Sequence, residues 1–256
     1  MGVHNQPAST RFDHLPSAPA RDAAGVLGPL LDLLLPVACG GCGAVSQPLC
    51  ARCWTLLGAP VLVHPPCCPA SPPVYALGAY SGRLRSALLA YKERGRRELA
   101  TPLGSALARG LQRLPALPAL AAGRGIWMVP VPSRSRAAAR RGGQHERLLA
   151  VRAAAALAGA GTPAAAAPAL RMGWGARDSV GLTPAQRRAN LTGRVLVSRA
   201  GPPPAAVPVV LVDDVVTTGA TAAACTAALL RTGVEVCAIV VLAAAGAHPS
   251  WYSLPP

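Results

Sequence analysis

The chain reads as an α/β protein with a parallel sheet, carrying a small cysteine-rich head in front of it. Two local patterns and the composition carry that reading. Residues 207–212 form an apolar run of strand type, residues 219–232 a helix that Gly233 stops, and residues 234–242 a second apolar run. A strand, a helix and a second strand make a βαβ unit, which pairs its strands in parallel. Two CxxC pairs near the start mark the head. Of 256 residues, 52% are hydrophobic and 14% charged, enough apolar surface for a core and too little charge for wholesale disorder.

Taken in order, residues 1–24 read as a flexible polar tail and 26–35 as a short apolar helix stopped at Pro36. The apolar stretch 26–38 carries Asp32 and two prolines, and it falls short of the roughly 18 apolar residues of a membrane span. The start also lacks the basic-then-apolar pattern of a signal peptide, so a cytoplasmic protein is expected. Residues 25–72 form the head, 73–246 the α/β domain and 247–256 a tail, with the Pro-rich break at 71–73 between head and domain. Within the domain, 74–80 reads as a strand, 83–94 and 98–114 as helices, and 126–131 as a strand. An Arg-rich loop (133–143), an Ala-rich helix (144–158) and a loop (162–193) follow, then a strand at 194–198 and a linker at 202–204.

The net charge is +15, supplied by arginine and a single lysine, Lys92. Most of the excess falls between residues 81 and 152, where only Glu93, Glu98 and Glu146 are acidic. Such a field attracts phosphate, on a small molecule or a nucleic-acid backbone. A coding bias towards Ala, Gly, Pro and Arg explains part of it equally well. Charge therefore argues only for an anionic partner.

The most informative segment runs from Val209 through Val212, Asp213 and Asp214 to Thr217, Thr218, Gly219, Ala220 and Thr221. An apolar strand delivers two adjacent carboxylates at its carboxyl end, where open α/β sheets bind ligands. Hydroxyls and a glycine then open a helix, whose first-turn N–H groups suit a phosphate. Gly219 lets the backbone approach the ligand closely. No Walker-type G-x-x-x-x-G-K-[ST] occurs, which argues against a P-loop nucleotidase. Two acids beside a phosphate would repel it unless they face ribose hydroxyls or a nearby Mg²⁺. An ordinary N-cap aspartate followed by threonines is the plainer alternative.

This segment resembles the thirteen-residue signature of the type I phosphoribosyltransferases, which bind 5-phosphoribosyl 1-diphosphate. The resemblance implies that Asp213 and Asp214 contact the ribose hydroxyls. It likewise implies that Thr217, Thr218, Gly219, Ala220 and Thr221 hold the 5′-phosphate, with Val212 beside them and Mg²⁺ on the diphosphate.

In the head, Cys39-x-x-Cys42 and Cys50-x-x-Cys53 can place four thiolates on one cation, and Gly40, Gly41 and Gly43 permit the tight turns. Structural zinc is the expected occupant. Disulfides need an oxidising compartment and are disfavoured. Cys67 and Cys68 are adjacent and cannot easily share one tetrahedron, while Cys225 and Cys237 read as buried structural cysteines.

A zinc-ribbon-like head before a phosphoribosyltransferase domain resembles the ComF family, which is linked to DNA uptake in competent bacteria. Cys50-Ala51-Arg52-Cys53-Trp54, Tyr80-Ser81-Gly82, Tyr91-Lys92, Val129-Pro130-Val131-Pro132, Arg141-Gly142-Gly143-Gln144-His145 and Gln186-Arg187 with Asn190 carry the likeness. Cys67-Cys68 stands where that family commonly has a further CxxC pair. Around a diphosphate, Lys92 and Arg141, with Arg134, Arg136 and Arg140, would match phosphate oxygens. His145 is a candidate proton donor, though a surface histidine at a helix start is the commoner case. The family likeness implies a phosphoribosyltransferase of unknown acceptor that serves natural competence. Two other readings stay open: a single-stranded-DNA-binding accessory working with DNA-uptake proteins, and a non-catalytic sensor of the same diphosphate. Few aromatics (4%) are available for base stacking, which weakens the first of these.

Overall fold

The computed structural model describes residues 37–45, 47–68, 72–117, 124–132, 145–173, 194–199, 201–204 and 207–246. The expected tails, the helix at 26–35, the arginine loop with Arg134, Arg136, Arg140 and Arg141, and Gln186, Arg187 and Asn190 lie outside them.

A six-stranded sheet organises these residues. Its strands are β1 (Val61–Val63), β2 (Val74–Ala76), β3 (Ile126–Pro130), β4 (Ala164–Ala166), β7 (Val209–Val216) and β8 (Val236–Ala244), in the order β1-β2-β8-β7-β3-β4. Every neighbouring pair is parallel except β1 with β2. A separate antiparallel pair joins β5 (Leu170–Met172) to β6 (Val195–Val197).

Helices cover both faces, as a parallel sheet requires. Along β7, Val210 and Val212 pack into one core with Leu88, Tyr91, Leu103, Leu107 and Leu149. These come from α2 (Gly82–Glu93), α3 (Ala100–Gln112) and α4 (His145–Gly159). Val209 and Leu211 pack on the opposite face with Cys225, Ala228 and Leu229 of α5 (Ala220–Leu230). The central strands are buried on both sides, and so they read as unbroken apolar runs rather than alternating ones.

The βαβ expectation is met by β7, α5 and β8, with two differences. β7 runs to Val216, so Asp213 and Asp214 lie within the strand rather than after it. The β-branched pair Val215-Val216 extends the ladder beside Ala243 and Ala244. The expected loop at 162–193 holds β4 and β5, and β1 is a strand where none was expected. All three are three residues long. A run that short shows no period of its own.

The cysteine-bearing segment, including the short helix α1 (Ala51–Trp54), packs directly on the helical layer. A Cβ on Gly40 would stand 2.8 Å from Leu99, and one on Gly41 would stand 3.1 Å from the Arg83 carbonyl oxygen. Arg109 of α3 closes the joint by donating to the Leu57 carbonyl (2.6 Å) with its guanidinium 4.6 Å above the Trp54 ring. Among the described residues no helix is long and apolar enough to cross a membrane.

Candidate functional site

Two polar constellations stand out. The first is the cysteine cluster. The Sγ atoms of Cys39, Cys42, Cys50 and Cys53 all lie within 4.8 Å of one another. A tetrahedral zinc with bonds of about 2.3 Å needs its sulfurs roughly 3.8 Å apart, so the spacing fits after small movements. A tight turn, Gly43 N–H to the Cys39 carbonyl (2.8 Å) with Gly43 at φ +77°, presents the first pair. The Cys50 N–H donates to Cys39 Sγ at 3.3 Å. Burial opposes a charge on Cys39, yet the N–H groups of Cys50, Cys42 and Gly41 aimed at its sulfur bring the thiol down to about 6. Burial and the three neighbouring thiols push Cys53 up instead. The cluster thus holds a thiolate readily but resists several at once without a cation. Four cysteines so placed can bind a metal ion such as zinc. Gly41 is needed here, because a Cβ would stand 2.7 Å from Cys53 Sγ.

The second constellation lies near the carboxyl end of β7. Asp214 is 1% exposed and faces α2, where Lys92 Nζ sits 3.1 Å from its Oδ1 and 3.0 Å from its Oδ2. Only Oδ1 has hydrogen-bond geometry to Lys92, and it also accepts from the Val215 N–H at 2.7 Å. Oδ2 is held by charge alone. Asp213 is half-buried, and its Oδ1 accepts the Asp214 N–H at 2.9 Å. Desolvation and the neighbouring Asp214 charge raise Asp213 well above the usual carboxylate range, with Lys92 opposing. Burial disfavours the Lys92 charge, but Asp214, Asp213 and Glu146 outweigh it and hold the ammonium more firmly than in water.

Glu146 deepens this negative pocket and escaped the sequence reading. It is buried in the first turn of α4, with its Oε1 2.7 Å from His145 Nε2. Tyr91, next to Lys92 on α2, donates its hydroxyl to the His145 carbonyl at 2.5 Å, and the two rings meet edge-on. The expected exposed histidine is therefore a buried one tied into the α2–α4 joint. A glutamate at a helix start reads as a solvated partner of the macrodipole, so no local signal marked it as buried.

After β7 the chain turns through Thr217, Thr218 and Gly219 into α5. Gly219 has φ +76° and precedes the helix with no side-chain cap, the kind of helix start that anion sites use. Thr217 is exposed, Thr218 and Thr221 are half-buried, and Ala220 is buried. The space beside Gly219 is taken within the chain itself. A Cβ there would stand 2.5 Å from Cys68 Sγ and 2.9 Å from Pro65 Cβ. Val212 is fully buried, and its carbonyl accepts the Val131 N–H at 2.9 Å, which puts the end of β3 beside the acid pair.

Sequence-expected residues Lys92, Asp213 and Asp214 therefore meet, with Thr217, Thr218, Gly219, Ala220 and Thr221 on the turn that follows. Arg141 lies outside the described residues. Comparison with protein-family models and with curated proteins finds no match for this chain.

Proposed function

We propose that the chain binds 5-phosphoribosyl 1-diphosphate with Mg²⁺ and acts as a phosphoribosyltransferase of the ComF type, with a zinc-bearing four-cysteine segment. The observation that carries this reading is the segment Val209 to Thr221: a buried parallel strand bearing an acid pair, a turn with Thr217 exposed and Thr218 half-buried, and a helix start without a side-chain cap. It rests on the resemblance of that segment to the family signature, and an α/β body with a mostly parallel sheet agrees with it.

Asp213, half-buried near the carboxyl end of β7, would bind the ribose hydroxyls. The buried Asp214 would hold Lys92 beside them and add the negative charge that favours positive charge at C1. The C1–oxygen bond to diphosphate breaks, diphosphate leaves with the bonding pair, and an acceptor lone pair forms the new bond at C1. Lys92 is 36% exposed and can hold Asp214 while turning another N–H to the diphosphate. Mg²⁺ accompanies the diphosphate as part of the substrate and neutralises its charge. The test is diphosphate release from phosphoribosyl diphosphate with a panel of bases and amines. Release by wild type, lost about 100-fold or more in Asp214→Asn, supports the reading. Binding without release under any acceptor makes the protein a sensor instead.

A second reading has one observation in its favour. The +15 charge includes Arg83, Arg85, Arg94 and Arg152, all exposed on or beside the helical layer. In that reading the chain holds single-stranded DNA for uptake. Binding to an oligonucleotide would then fall steeply with salt, and less steeply once those arginines are removed.

A further inference from the structure

Residues 65–68 follow β1 and have no part in either the cysteine cluster or the acid pair. They nonetheless lie on the turn between β7 and α5. The Cys67 N–H donates to the Thr218 carbonyl at 2.8 Å, and the Cys68 thiol donates to the Gly219 carbonyl at 3.4 Å. Cys68 and Pro65 also fill the space that the missing Gly219 side chain leaves. We propose that this strap, with Cys68 as its positioning residue, holds the Thr217–Gly219 turn in the shape that receives a phosphate. The inference rests on the function proposed above and extends it to residues outside the signature.

The geometry explains why the strap acts on the turn rather than merely beside it. Gly219 adopts φ +76°, and its carbonyl also accepts the Ala223 N–H at 2.9 Å, the first hydrogen bond of α5. The left-handed residue therefore sets the direction in which the helix start points. A glycine left to itself visits many conformations. Two donors arriving from another part of the chain on consecutive carbonyls select one of them. Burial and the neighbouring Cys67 charge push Cys68 up to about 11, so the thiol keeps its proton and remains a donor near neutrality. Selecting one turn conformation before the ligand arrives removes an ordering cost from binding. The strap is continuous with β1, whose Val63 is buried in the core beneath α5, so it has a fixed base from which to act.

The experiment compares wild type, Cys68→Ala and Cys68→Ser by two readouts: calorimetric affinity for phosphoribosyl diphosphate with Mg²⁺ and amide hydrogen exchange at residues 218–223. Cys68→Ala should weaken binding about five- to tenfold, the size expected for one lost hydrogen bond and its ordering effect. Exchange at 218–223 should quicken while the melting temperature holds, and Cys68→Ser, which keeps a donor, should recover most of the affinity. Affinity within twofold of wild type, or a loss that Cys68→Ser does not repair, overturns the strap. If wild type binds no phosphoribosyl diphosphate, the proposed function fails and hydrogen exchange alone judges the strap. Faster exchange in Cys68→Ala then supports it, and unchanged exchange overturns it.

Discussion

The cysteine cluster and the acid pair are both polar sites set against an apolar core, but they are assembled in opposite ways. Cys39, Cys42, Cys50 and Cys53 are near neighbours in the chain, brought together by two tight turns. Lys92 and Asp214 are 122 residues apart and meet only because α2 packs over β7. A local site needs little beyond its own turns and its ligand. A long-range site needs the whole sheet in register first. Loss of a ligand should therefore disturb the cysteine end most, and loss of a partner side chain should disturb the acid end most.

The largest effect is expected from metal removal. If zinc is held at about a thousandfold over its dissociation constant, binding stabilises the fold by ~4 kcal/mol. For a chain of this size that is about 8–16 °C in melting temperature. Thermal melts before and after chelation, with metal content measured alongside, check it; identical melts for zinc-loaded and stripped protein would break the comparison at its local end.

Next comes Lys92→Met. It leaves Asp214 buried without its counter-charge, which in a fully buried pair costs ~3–5 kcal/mol. Lys92 is 36% exposed, so about 2–4 kcal/mol is the expected loss on denaturant titration. The double variant Lys92→Met/Asp214→Asn should regain much of it, since no unpaired charge remains. Additive losses would mean the pair is not coupled.

The smaller effects concern the turn and its acids. Gly219→Ala forces a left-handed conformation on alanine and pushes a Cβ against Cys68, for an expected ~1–3 kcal/mol. Asp213 works in the other direction. Its folded-state pKa is raised, so between the ordinary carboxylate value and that higher one the native state holds the extra proton. Stability from this group therefore falls as pH rises through that window. Asp213→Asn should flatten the fall and stabilise the protein at neutral pH while abolishing ligand binding. A steeper pH dependence in the variant would reverse the assignment.

The same contrast decides what could be read from the residues alone. The four cysteines announced themselves because their chemistry is local and their spacing is the signal. The acid pair and its hydroxyl turn were legible for the same reason, as was the β7–α5–β8 unit around them. Lys92 stood out as the single lysine of the chain and through the Tyr91-Lys92 likeness. Its pairing with Asp214 followed from no spacing, and Glu146 looked like any acid at a helix start. The strap at 65–68 was harder still. Cys67 and Cys68 read as a degenerate metal pair, whereas their position is set by the turn they touch, 151 residues further along for Cys68. Strands β1, β4 and β5 were missed, and of these β4 is an alanine run with little strand propensity of its own.

The central claim is that Asp213, Asp214 and the turn after them form a binding site for a ribosyl diphosphate. Its most direct test is calorimetric titration of phosphoribosyl diphosphate with Mg²⁺ into wild type and into Asp213→Asn/Asp214→Asn. The account predicts saturable binding by wild type that the double variant loses while remaining folded. Absence of binding by folded, zinc-loaded wild type, or equal binding by both proteins, would contradict it.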